Sequence, residues 1–302
     1  MGLLVIASLL AAHLLAMNVA SAAPALAVWM DWRNARGCAA AGTMGRPLHA
    51  AALVMLLVGS LLGLVVGWLL WSPEYSAAIN RLWNKVFFGI LELLFSAVLL
   101  GVNLVLWRDD GVATKRRRLG RSICSLLSAS NLLYHFPVLL LVLWQLMQAG
   151  EFDGALINSS EFRSLMMSPR VIARSTHFWL ASFAVSGMLL ALVDLRRDST
   201  VAAKTAPAIL GGRVALVASL MQIPVGIWVL TSSSSTMSVR LLGADATATL
   251  GFAVSVLLSL SLMHRLANIS FGDLNPRAMR TTALIMATIV LTMCVASRFA
   301  GR

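Results

Sequence analysis

Polar side chains occupy short intervals along this chain, and the apolar blocks between them each run for about 20 residues or more, long enough to cross hydrocarbon as a helix. Eight blocks emerge, at 3–29, 48–71, 84–107, 122–148, 171–193, 206–230, 243–266 and 279–299. None alternates with the two-residue period of a barrel strand, and backbone groups in lipid must bond within their own segment, so the blocks predict transmembrane helices. The connections are short. The longest, around 150–170, holds Glu151, Asp153, Glu161 and Arg163 and predicts a surface turn of helix. No hydrophilic stretch forms a domain of its own, so the expectation is an all-α polytopic bundle, a single transmembrane domain over 1–302.

Composition removes the soluble classes. Hydrophobic residues make up 59% of the 302, charged residues 12%, and the mean hydropathy is +0.84. The net charge of +12 raises nucleic acid as a partner, but the basic residues are scattered between apolar blocks instead of forming a patch. In a membrane chain they are an orientation signal. Sixteen of the 24 lie in or beside the first, third, fifth and seventh connections, with Lys115, Arg116, Arg117, Arg118 and Arg121 clustered in the third. These connections are therefore cytoplasmic and both termini outside, in a multi-pass protein of the inner (cytoplasmic) membrane. Cys38, Cys124 and Cys294 are far apart and form no Cys-x-x-Cys or haem-attachment pattern. Ala20-Ser21-Ala22 is similar to a signal-peptidase site, yet no positive charge precedes it and the apolar run continues to Trp29, so the first helix is expected to be retained.

The ionisable residues inside the spans carry the functional information, because charge in hydrocarbon is costly and needs a partner or a role. His13, His135 and His177 fall in the outer half or at the midplane, on three different helices, and Glu92 is the carboxylate that lies well inside a span. His49 and His264 sit at cytoplasmic helix ends, where headgroups or water satisfy them. Each buried imidazole either hydrogen-bonds a neighbouring helix or ligates haem iron. Arg170 and Arg174 precede His177 at helical spacing, where guanidinium groups pair with haem propionates or snorkel to headgroups. No helix carries two buried histidines, which excludes two haems stacked on paired ligands of one helix. Met188, Met221 and Met237 are candidate thioether ligands. Glu92 is a haem ligand, a proton relay or a paired structural acid. Gly59-Ser60, Gly63 and Gly67 suit close helix packing, and Trp29, Trp32, Trp71, Trp83, Trp107 and Trp144 read as interfacial anchors.

Several segments resemble subunit I of the cytochrome bd quinol oxidases. They are Leu9-Leu10-Ala11-Ala12-His13, the stretch Phe87-Phe88-Gly89-Ile90-Leu91-Glu92-Leu93-Leu94-Phe95-Ser96 ending in Leu106-Trp107-Arg108, then Ser130-Asn131-Leu132 with Trp144 and Met147-Gln148, and Ser175-Thr176-His177 through Ser186-Gly187 to Arg196-Arg197. The resemblance implies two four-helix bundles side by side, His13 as the active-site haem ligand, His177 as the haem b ligand, and Glu92 as a carboxylate near the oxygen-reducing haem. The chain departs from the family in two places. The long outer loop is shortened to about Thr231–Ser238, and in Ser238-Val239-Arg240-Leu241-Leu242-Gly243 the arginine is kept while Leu242 replaces an expected methionine. The late helices supply no buried glutamate.

The resulting expectation is a haem b-binding membrane subunit with one or two haems, using His13, His135, His177, Arg170, Arg174 and Arg240. His135 is a replacement axial ligand and Glu92 carries the proton released as quinol oxidises. Electrons pass between quinol and membrane or periplasmic partner subunits, a cytochrome among them. The alternatives are a haem-free scaffold subunit derived from such a core and, third, a transporter, against which the sequence lacks evident inverted repeats.

Overall fold

A computed structural model describes residues 2–107, 114–150, 154–195 and 201–301. Arg108, Glu151, Asp153, Arg196 and Arg197 lie outside the described residues. Eight helices are long and apolar enough to cross a membrane, and no strand occurs among the described residues. The protein is a helical membrane bundle.

The helices are α1 (Gly2–Ala35), α2 (Gly45–Leu69), α3 (Pro73–Arg81), α4 (Trp83–Leu106), α5 (Lys115–Ala149), α6 (Ser159–Met166), α7 (Pro169–Leu195), α8 (Val201–Ser232), α9 (Ser235–Val239), α10 (Ala246–Ser270) and α11 (Pro276–Ala300). The short α3, α6 and α9 lie in connections, and the sequence pattern had indicated only the second of them. Where the chain enters a helix, short polar residues cap it. Ser72 Oγ accepts from Tyr75 N, Asn158 Oδ1 from Ser160 N and Glu161 N, and Asp245 Oδ1 from Ala248 N.

The first bundle is the ring α1–α2–α4–α5, and the second joins α7 to α8, α8 to α10 and α10 to α11. On the outer surface α3 and α6 cover the first bundle, clamped by Arg81–Glu161 at 3.5 Å and by Lys85 Nζ donating to Ser159 Oγ at 2.9 Å. α1 touches α7 and α11 as well as α2 and α5, so it lies where the bundles meet. Every residue from Ala16 to Pro24 is buried, as expected of a helix enclosed on all sides. Small side chains make this enclosure feasible: Ala16, Ala20, Ala22, Ala23 and Ala27 let neighbouring backbones approach without a hydrophobic driving force between helices. Across the junction, Ser182 Oγ donates to Asn18 Oδ1 at 3.0 Å and Ser186 Oγ to the Asn18 carbonyl at 3.2 Å.

Pro24, Pro137 and Pro224 do not end their helices. At Pro137 the missing N–H leaves the Leu133 carbonyl without its helical donor, and Trp179 Nε1 of α7 supplies one at 2.7 Å.

The tightest packing joins α7 to α8. A Cβ placed at Gly187 would lie 2.7 Å from the Gly211 carbonyl oxygen, and one at Gly211 would lie 2.5 Å from that of Gly187. Gly187→Leu is expected to destabilise the protein by about 1–3 kcal/mol through overpacking. Gly101→Leu, at a site with nothing within 4 Å, leaves the thermal midpoint in detergent nearly unchanged. Equal melting of the two variants would contradict this account of the α7–α8 contact.

Candidate functional site

The polar residues of α4 and α5 form a seam across the bilayer. On α5, Arg121, Ser125, Ser128, Asn131 and His135 recur every three or four residues and therefore share one helix face. On α4, Glu92, Ser96 and Asn103 share the facing stripe. At the outer end, Glu92 and His135 meet through Oε2 and Nδ1, with the His135 side chain 38% exposed. Phe88 and Tyr134 flank the imidazole, with ring centroids 6.3 and 4.9 Å away. One turn deeper, Asn131 Nδ2 donates to the Glu92 carbonyl at 2.7 Å and to Ser96 Oγ at 2.8 Å, fixing the backbone that carries the acid. Ser128 Oγ then donates to the Ser96 carbonyl at 3.4 Å.

The cytoplasmic end is a polar core. His49 is fully buried, its Nδ1 on the Gly45 carbonyl at 2.7 Å and its Nε2 on Ser125 Oγ at 2.7 Å. Ser125 Oγ also accepts from Asn103 Nδ2 at 2.6 Å and reaches the Arg121 carbonyl at 2.7 Å. Arg121 donates twice to the Leu106 carbonyl and stacks 3.9 Å over the Trp107 ring. Asp31, only 3% exposed, lies 3.8 Å from Arg118. Among the described residues, Asp31 Oδ2, Asn103 Oδ1 and Trp107 Nε1 are buried without a hydrogen-bond partner, so this core has capacity for further bonds. Two expectations are corrected here. His49 is enclosed by α2, α4 and α5 instead of sitting among headgroups, and Trp107 is a buried platform for Arg121, not an interfacial anchor.

His13, on α1, approaches α2. Only an N–H can bond a carbonyl, so its Nδ1–H donates to Gly59 O at 2.7 Å and the lone pair resides on Nε2. A Cβ at Gly63 would meet the ring at 2.8 Å, which is why glycine is needed opposite this histidine. His177 occupies the α7 stripe that continues to Ala184, Met188 and Ala191, residues in the core of the second bundle. Its Nδ1 is buried without a partner among the described residues. No residue of α8 from Leu220 to Ser232 is buried.

Arg170 Nε donates to the Ser232 carbonyl at 3.3 Å and its NH1 to Gln148 Oε1 at 3.4 Å. Arg174 NH2 reaches Ser233 Oγ at 3.3 Å and Met237 Sδ at 3.6 Å. Both guanidinium groups thus gather the end of α8 and the start of α9 over the outer end of α7. Arg240 begins the wide turn Arg240–Ala244, its carbonyl accepting from Thr249 Oγ1 at 3.1 Å. Met188 is core and Met221 is exposed.

The structure therefore brings Glu92 and His135 together, while His13 turns to α2 and His177 to the second bundle. Among the described residues no three His, Cys, Asp or Glu side chains gather as a metal-ion site. For haem, the donor chemistry fits at three positions. His177 offers a buried, unpartnered ring nitrogen, and His13 offers Nε2 on a ring oriented by a carbonyl, the usual support for a ligating imidazole. At His135, Glu92 engages Nδ1, a carboxylate support of the same kind, and Nε2 remains.

Sequence reasoning passed over Asp31, Asn103 and Ser125. The three- and four-residue spacing of the polar positions on α5 was the available signal.

Ser125→Ala removes a hydroxyl shared by three neighbours and is expected to cost about 1–3 kcal/mol, read from thermal unfolding in detergent. Ser130→Ala, which loses only a bond to its own helix, leaves the midpoint unchanged.

Comparison with known proteins bears on the fold. No family profile matches the chain, and neither does any curated protein. Among solved structures, it is similar to a chain of the bd oxidase from Geobacillus thermodenitrificans, with a TM-score of 0.74 over 98% of this chain and 85% of that one, at 13% identity. The chain thus shares the fold of a bd oxidase chain.

Proposed function

We propose that this chain is a membrane subunit of a quinol-oxidising respiratory complex, in which it holds a b-type haem at His177 and moves protons through the α4–α5 seam. The observation that carries the reading is an ionisable pair, Glu92 with His135, at the outer end of a polar line through hydrocarbon, in a chain with the bd oxidase fold. Intramembrane pairs of this kind mark proton and substrate pathways.

Quinol oxidation releases two protons and two electrons. Glu92 accepts a proton at its carboxylate and hands it to His135 Nδ1, while Asn131 holds the Glu92 backbone in place. At the cytoplasmic end the Ser125 hydroxyl faces both His49 Nε2 and the Arg121 carbonyl, so its single proton can point either way, as a relay requires. Ser125 and Ser128 are three residues apart, a rise of about 4.5 Å that one water bridges. When bound, haem supplies a one-electron carrier whose potential is set by the axial imidazole and the low dielectric around it. His177 would ligate it, with Arg170 and Arg174 at the outer rim to pair with its carboxylates. Partner subunits in the membrane or on its outer face take the electrons onward.

A second reading, the haem-free scaffold, rests on the fact that the His13 and His135 rings already have protein partners. Pyridine-haemochrome analysis of the purified chain separates the two. The haem reading expects haem b in the wild type and in His135→Ala, and its loss in His177→Ala. Haem missing from the wild type leaves the scaffold. Glu92→Gln, assayed as quinol turnover of the whole complex in native membranes, is expected to fall on the order of 10²-fold, the scale of losing a positioned base. Unchanged turnover would remove Glu92 from the proton path.

A further inference from the structure

One groove on the bilayer-facing surface has no histidine in its lining. Between α1, α7 and α8 opens a cleft of about 460 Å³, within the range of small-molecule sites. Leu180 and Phe183 form one wall, and Val217 and Met221 the other. The cytoplasmic end is bordered by Trp29 and Arg213.

Arg213 stands inside the apolar block of α8 and is exposed. Its one hydrogen bond among the described residues runs from Nε to the Ser270 carbonyl, at 3.4 Å, which leaves the two terminal nitrogens directed to other acceptors. A guanidinium in this position offers the planar fork that matches a phosphate, and an indole beside it is the usual companion at headgroup depth. From Arg213 to Met221 the helix rises about 12 Å, less than half of the roughly 30 Å hydrocarbon thickness. A ligand with its head on Arg213 and its tail along Val217 and Met221 is therefore contained within one leaflet. By the distribution of basic residues that leaflet is the cytoplasmic one, which carries the anionic lipids.

We propose that this cleft is a specific site for an anionic phospholipid of the cytoplasmic leaflet, with its phosphate on Arg213 and an acyl chain along the α7–α8 wall. The occupant is a phospholipid because Arg213, the one charged residue bordering the cleft, calls for an anion beside an otherwise apolar groove. A neutral quinone ring would leave that charge uncompensated.

The site is independent of the haem and proton readings, and its test uses neither. The purified full chain is incubated with equal amounts of phosphatidylglycerol and phosphatidylcholine, and retained lipid is counted by native mass spectrometry. The wild type is expected to keep phosphatidylglycerol in preference. Arg213→Gln lowers that preference about fivefold, the scale of one near-surface cation, while Arg213→Lys retains part of it. Val217→Trp fills the cleft with Arg213 intact and lowers retention of both lipids. Size-exclusion profiles establish that each variant is folded. Equal retention of the two lipids by the wild type, or an unchanged preference in Arg213→Gln, overturns the proposal. So does displacement of phosphatidylglycerol by added ubiquinone, which would make the cleft a quinone site.

Discussion

The enclosure of α1 is the constraint from which the rest of the architecture follows. A helix buried over every residue from Ala16 to Pro24 has no lipid-facing side, so its neighbours must supply all of its packing. Alanine or serine at five of these nine positions admits four long helices around one axis, and two bundles can therefore share a single member. Asn18 also fixes the axial register of the two halves through its hydrogen bonds to Ser182 and Ser186. His13 and His177 each lie five residues outward of that contact, on helices that run in the same direction, so one amide clamp sets both histidines at a common depth.

The α4–α5 seam follows a different physical rule. An interhelical hydrogen bond in a membrane contributes on the order of 0.6 kcal/mol, so stability alone is a weak reason to line an interface with serine, asparagine, glutamate and histidine. The seam is organised nonetheless: Asn131 and Asn103 each hold two acceptors on the facing elements, and Trp179 satisfies the carbonyl that Pro137 leaves free. Such backbone satisfaction lets α5 keep its helical face through the proline and present Ser125, Ser128, Asn131 and His135 in line. In the second bundle the His177 stripe runs instead into the apolar core at Ala184, Met188 and Ala191, above the glycine contact of α7 and α8.

How far a residue was legible depended on whether its environment is set along the chain or across it. Glu92 and His135 were each conspicuous as ionisable groups within apolar blocks, but their pairing was hidden, because the two are 43 positions apart and meet only when α4 and α5 fold back on one another. His49 was misjudged because counting residues from a helix end measures depth in the bilayer and not enclosure by neighbouring helices. Trp107 was misjudged in the same way, since its place at the end of α4 does not show that the neighbouring helices bury it beneath Arg121. Arg170 and Arg174 stood out at helical spacing before His177. Their grip on Ser232, Ser233 and Met237 depended on how the shortened outer connection folds back over α7.

By itself the sequence determined that the chain is helical, that it crosses the bilayer eight times and which residues bring charge into hydrocarbon. Hydrocarbon length and internal backbone bonding act within single segments, so those properties can be read from one segment at a time. Only the tertiary structure decided which polar groups face each other: Glu92 with His135, His49 with Ser125, Asn18 with Ser182, and His177 Nδ1 with none among the described residues. Each pairing depends on the rotation and register of two separate helices, and small-residue packing around α1 sets these from many positions at once.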